Sequence, residues 1–185
     1  ISVYSPVKGI GKTLYALNLT LSLRQETFKR SIFLQIGQKF DDVLRSLNIG
    51  SAPTINIKDV GFDVPRLQES IFHHQSGADF LGVAYNNGAE VNISAILSVL
   101  SHLTNDYHYI IIDLPAELDQ TVFKTLTQSD QIHLVTDTEE TNLEIIGKLI
   151  VDLRTNLKHA EHKIKVIANE LKKEDAISKG KRTEL

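Results

Sequence analysis

Short apolar runs alternate along the chain with longer stretches in which apolar residues recur every three or four positions. The runs are Ile1 to Tyr4, Ser31 to Ile36, Ala78 to Ala84, Tyr109 to Asp113, Gln131 to Thr136 and Lys163 to Ala168, each of strand length. Several are continuous rather than alternating, above all Tyr109-Ile110-Ile111-Ile112, which predicts strands covered on both faces. The intervening stretches Lys12 to Arg24, Ile93 to Leu103, Thr121 to Thr127 and Leu143 to Leu157 predict helices. In the last of these, Leu143, Ile146, Ile150, Leu153 and Leu157 share one stripe and belong to a core. Strands alternating with helices in this way are joined by crossover connections. The expected fold is therefore α/β: an open, doubly wound, mostly parallel sheet flanked by helices. From Asn48 to Val64 glycine and proline interrupt any period, and the segment reads as loop.

Length and composition narrow the picture. The 185 residues fit one domain, so residues 1–185 are read as a single unit. A net charge of -3 gives no general drive toward nucleic acid or anionic lipid. No run approaches the roughly 18 apolar residues of a membrane span, and the expected location is cytoplasmic. The absence of cysteine excludes disulfides, thiolate metal sites, iron-sulfur clusters and cysteine nucleophiles. The chain opens at Ile1, directly inside a strand and without methionine, as a fragment of a longer protein would. His73-His74, and His159 with His162, lack a third ligand at metal spacing; adjacent histidines on a helix face apart, so surface positions are expected. Ser5, Ser94 and Ser101 lie in no nucleophile-elbow motif. The lysines after Asn169 are diluted by Glu170, Glu174, Asp175 and Glu184 and read as a solvated end.

The sharpest chemistry lies between the first strand and the first helix, in Tyr4-Ser5-Pro6-Val7-Lys8-Gly9-Ile10-Gly11-Lys12-Thr13-Leu14. A phosphate needs several backbone N–H donors aimed at one place, and a glycine-rich turn into a helix start supplies them together with the helix's positive end. Against the pattern G-x-x-x-x-G-K-[ST], only the first glycine is missing, replaced by Pro6. The expected cradle is Lys8, Gly9, Ile10, Gly11, Lys12, Thr13 and Leu14, with Lys12 on the β- and γ-phosphates of ATP and the Thr13 hydroxyl on Mg²⁺. Asp113 ends an apolar strand, where a carboxylate is costly unless it meets a cation or donors, and it is the second expected Mg²⁺ residue.

These residues resemble the deviant P-loop ATPases of the MinD/ParA family. The likeness continues through Thr13-Leu14-Tyr15-Ala16-Leu17-Asn18-Leu19 and through Tyr107-His108-Tyr109-Ile110-Ile111-Ile112-Asp113-Leu114-Pro115, which is similar to the family's Walker B strand. Within the family, Phe33 to Val43 is most similar to the CpaE/TadZ pilus-assembly branch. The resemblance implies an ATP-stabilised homodimer, a partner in a localisation, secretion or pilus machinery, and a position at a pole or at the inner membrane through that partner. It also implies a receiver-like domain ahead of Ile1, and a base-reading role for Asn169 beside the plain reading of a turn-forming asparagine.

Two departures bear on mechanism. The family's signature lysine falls on Val7, with Lys8 in the place of the first loop glycine, and both aspartates of the segment after the second strand are replaced, by Gln35 and Gly37. The second aspartate positions the attacking water in relatives, so binding with weak or lost hydrolysis is expected. The alternatives are an active partitioning ATPase in which Asp41 or Asp42 supplies the carboxylate, and a capsule-type P-loop tyrosine kinase, although the last tyrosine of this sequence is Tyr109.

Overall fold

The apolar runs pair side by side and the periodic stretches cross over them. A computed structural model of the chain describes residues 1–37, 54–56, 64–84, 93–156 and 160–169. In chain order these form β1 (Ser2–Tyr4), α1 (Lys12–Thr27), β2 (Ser31–Ile36), β3 (Thr54–Asn56), α2 (Val64–Glu69), β4 (Phe72–His73), β5 (Asp79–Ala84), α3 (Ile93–Asp106), β6 (Tyr109–Asp113), α4 (Gln120–Gln128), β7 (Ile132–Thr136), α5 (Glu140–Asn156), α6 (Ala160–Lys163) and β8 (Ile164–Ala168). Seven strands run in the order β3-β5-β2-β6-β1-β7-β8, every pairing parallel, while the two-residue β4 pairs antiparallel with β5. This is the doubly wound, mostly parallel α/β sheet that the sequence predicts.

The period-two alternation of side chains decides which face each strand residue covers. On one face Ile32, Leu34, Ile36, Ile112 and Leu134 pack with Ala95, Ile96 and Val99 of α3, Leu126 of α4 and Ile146, Leu149, Ile150 and Leu153 of α5. On the other, Val3, Phe33, Phe80, Ile111 and Val135 pack with Ala16 and Leu17 of α1. The continuous apolar run of β6 thus feeds both layers, Ile111 to one and Ile112 to the other. α4 starts on Asp119, whose carboxylate accepts the Val122 N–H at 2.8 Å.

Several details depart from the sequence reading. β3 lies inside the segment expected to be loop; three residues are too few to show a period. His73 ends a strand rather than sitting on a helix, and its Nδ1 is 2.6 Å from Asp79 Oδ1, although the imidazole is exposed as expected. Asp79 also accepts from the Tyr107 hydroxyl at 2.7 Å, and the Arg30 guanidinium lies 4.7 Å from the Tyr107 ring centre. Burial, then the bond to Asp79, raises the Tyr107 pKa above its ordinary value. On α5 Leu143 is half-buried and Leu149 completes the buried stripe; Leu157 and His159 lie outside the described residues. His162 is exposed. No helix among the described residues is long and apolar enough to cross a membrane, and none of their His, Asp and Glu clusters could hold a metal ion as a group of three or more.

His133 carries a pH dependence. It is buried on β7 with Nδ1 2.9 Å from the Tyr15 hydroxyl and Nε2 3.2 Å from Gln131 Oε1. The Gln131 carbonyl only accepts, so Nε2 carries the proton and Nδ1 accepts from Tyr15, which is the neutral imidazole. Burial first, then the Lys165 charge, lower its pKa from 6.5 to about 4. Between those values the unfolded chain binds more protons than the folded one, so stability is full above the higher value and falls as pH drops through the window. Thermal midpoints measured from pH 7 to pH 4 should therefore decline, and His133→Gln should flatten that decline.

Candidate nucleotide site

β1 ends at Tyr4, and the chain turns through Ser5 to Gly11 before α1 begins at Lys12. Ser5 is buried and its Oγ accepts the Val7 N–H at 3.1 Å, a local turn that starts the loop. Gly9 and Gly11 adopt φ of 81° and 77°, where a Cβ is disfavoured. Gly11 is the N-cap of α1 and offers no side chain to the first turn, so that turn's N–H groups and the positive end of the helix are left for a ligand in front of the loop.

The parallel register brings the second half of the site to the same place. Asp113 ends β6 opposite Val3 of β1 and Gln35 of β2. It is only 2% exposed and is held by three donors: Lys12 Nζ at 2.7 Å from Oδ1, Thr13 Oγ1 at 2.7 Å from Oδ2, and Gln35 Nε2 at 3.2 Å from Oδ2. Lys12 Nζ also donates to the Leu114 carbonyl. A buried carboxylate is tolerable only with such compensation. Because the Thr13 hydroxyl points its hydrogen at Asp113, its lone pairs are free for a hard cation. The Lys12 ammonium supplies the positive charge that Asp113 needs, and phosphate oxygens would compete for it. Among the described residues Gln35 Oε1 is buried without a hydrogen-bond partner, an acceptor that a ligand's donor would satisfy. A phosphate-and-magnesium group fits these residues.

The remaining expected residues are placed as follows. Lys8 and Gly9 are exposed on the loop, while Ile10 is buried against the α1 layer. The Leu14 side chain is 59% exposed. Asn169 follows β8: its N–H donates to the Thr136 carbonyl at 2.7 Å and its Nδ2 to the Ile10 carbonyl at 2.8 Å, so it grips the loop itself. Asp41 and Asp42 lie outside the described residues. Sequence reasoning treated Gln35 as a loss and gave Tyr4 no role. The signal for Gln35 was a polar residue inside the apolar run Phe33-Leu34-Gln35-Ile36. Tyr4 donates its hydroxyl to the Ala116 carbonyl at 2.9 Å and so fixes the turn after β6; burial, then Asp119, pushes its pKa up to about 12. A separate cavity of about 580 Å³, lined by Leu100, Tyr107, Ile110 and Ser129 among others, opens at the opposite ends of the strands, away from this chemistry.

The loop, the strand-end aspartate and the strand order together define a P-loop nucleoside-triphosphatase fold of the ParA/MinD type. The chain is similar to the ParA family ATPase of Chlorobium tepidum, with 20% identity over 91% of this chain and 72% of that one and a TM-score of 0.75. It is also similar to the VpsO kinase domain, at 26% identity over 92% and 84% of the two chains with a TM-score of 0.71. A plasmid partition protein from Borrelia burgdorferi bound to AMPPNP is 19% identical over 93% and 76% of the two chains, with a TM-score of 0.68. No protein-family model and no curated protein sequence matches the chain.

Proposed function

We propose that the chain is an ATP-operated switch of the MinD/ParA kind that binds ATP with Mg²⁺ and hydrolyses it slowly or not at all. The observation that carries this reading is the meeting of Lys12, Thr13 and Asp113 at the mouth of the loop, beside a β2 end that carries Gln35 and Gly37 in place of acids. The N–H groups from Gly9 to Thr13 would hold the phosphates, Lys12 would exchange Asp113 for the β- and γ-phosphates, and Thr13 with Asp113 would hold Mg²⁺. The metal neutralises phosphate charge when bound. Hydrolysis also requires a placed and activated water. Gln35 has no basic carboxylate to give, and its amide is committed to Asp113; Gly37 has no side chain. ATP binding would then stabilise a conformation, and with it a homodimer or a surface for a protein of a localisation, secretion or pilus machinery in the cytoplasm, at a pole or at the inner membrane.

Calorimetry with Mg-ATP, sedimentation with and without nucleotide, and phosphate release test this reading together. Expected are binding, nucleotide-dependent self-association, and turnover below about 0.01 s⁻¹, roughly a thousandfold under the ~10 s⁻¹ median of enzymes. Turnover near that median would sink the slow-hydrolysis part. The likeness to the VpsO kinase domain supports a second reading, a P-loop tyrosine kinase, in which the same loop would deliver ATP to a tyrosine hydroxyl. A mass increase by phosphate on a tyrosine after incubation with Mg-ATP would favour it.

A further inference from the structure

Gln35 stands opposite Asp113 in the register of β2 and β6. A carboxylate only accepts hydrogen bonds, so the carboxamide must turn its NH₂ end to Asp113 Oδ2, 3.2 Å away, and its carbonyl oxygen elsewhere. That oxygen, Oε1, is buried and meets no donor among the described residues. Native proteins rarely leave a buried acceptor unpaired, because the group has given up water for nothing. The same carboxylate leans on Lys12, the residue that phosphates would draw away. Once Lys12 leaves, Asp113 lacks its positive neighbour and Gln35 Oε1 still lacks a donor. A hydrated divalent cation supplies both, since its waters are strong donors and its charge replaces the ammonium.

We propose that Gln35 couples this site to the hydrated cation: its amide holds Asp113 in place while its carbonyl oxygen accepts a hydrogen bond from a water of the bound Mg²⁺. The inference rests on the nucleotide reading above and assigns a role within it. A carboxamide brings no charge, so of the three side chains around the cation position, Thr13, Gln35 and Asp113, one is anionic. The metal is therefore held only when the triphosphate adds its own negative charge, and the cation and nucleotide enter as one unit. A second carboxylate at position 35 would break that rule.

The test measures ATP affinity with Mg²⁺ and with EDTA, and binding of Mn²⁺ alone by paramagnetic resonance, in wild type, Gln35→Leu and Gln35→Glu. Wild type is expected to bind ATP more tightly with Mg²⁺ and to hold no Mn²⁺ alone. Gln35→Leu should lose about tenfold of the Mg²⁺-dependent gain, the size of one charge-assisted hydrogen bond, with its affinity in EDTA unchanged. Gln35→Glu should hold Mn²⁺ without nucleotide. A Gln35→Leu protein that keeps the full gain, or weakens equally with and without metal, overturns the proposal alone. Should that variant fail to fold, the glutamate variant decides: no Mn²⁺ binding overturns the proposal. Wild type that ignores ATP under both conditions removes the nucleotide reading and this role with it.

Discussion

If the loop holds ATP as proposed, replacing Lys12 with alanine should lower ATP affinity by about a hundredfold or more, enough to lose the heat signal in calorimetry at ordinary protein concentrations. The ammonium is a charged donor in a half-buried place, and each such bond to an anionic acceptor contributes about 1.5–3 kcal/mol. The same change is felt without ligand. Asp113 would remain 2% exposed with Thr13 and Gln35 as donors and no cation. Removing one partner of a fully buried pair costs about 3–5 kcal/mol; with Lys12 itself 14% exposed and two donors kept, a loss of about 1–3 kcal/mol is expected. Adding Asp113→Asn should restore much of that stability and none of the binding, which separates folding from recognition. An alanine variant with wild-type affinity would take the loop out of the nucleotide site.

Gly11→Ala should be more damaging than Gly9→Ala, although both residues adopt nearly the same positive φ. A Cβ at Gly9 would meet nothing within 4 Å, so that change costs only the left-handed strain of about 1–2 kcal/mol. At Gly11 a Cβ would lie 2.4 Å from Asn169 Nδ2, and the asparagine that grips the Ile10 carbonyl must move. Stability by denaturant titration should fall by about 2–4 kcal/mol from strain, clash and a lost hydrogen bond together, and ATP affinity by more than about tenfold. Combining Gly11→Ala with Asn169→Ala should recover part of the stability by clearing the space. Equal effects of the two glycine changes would mean that Asn169 does not brace the loop.

The sheet was readable because its strands are short and continuous: Tyr109-Ile110-Ile111-Ile112 has no polar face to confuse with a helix, and it does serve two apolar layers. The four longer helices, α1, α3, α4 and α5, were readable from the sequence, α5 most clearly from its apolar stripe, while the short α2 and α6 were not. What escaped lacks pattern. β3 and β4 span three and two residues, too few for an alternation to repeat. The phosphate-loop residues were visible because glycine and lysine at fixed spacing are a local signal. Gln35 was visible only as a departure, and Asn169 only as a turn former or, by resemblance, a base reader, since their partners, Asp113 and Ile10, are 78 and 159 positions away. Register, not composition, decides those contacts, and a strand slipped by one residue would point Gln35 to the other face.

The bond from Asn169 to Ile10 has a bearing on the order in which the protein matures. A ribosome delivers the amino end first, and folding of an emerging chain starts there. The glycine turn leaves the exit tunnel before its brace, which arrives only after β8 has been made and docked along β7. Until then the turn lacks this tether, so the shape of the loop is completed by a residue 159 positions further along the chain.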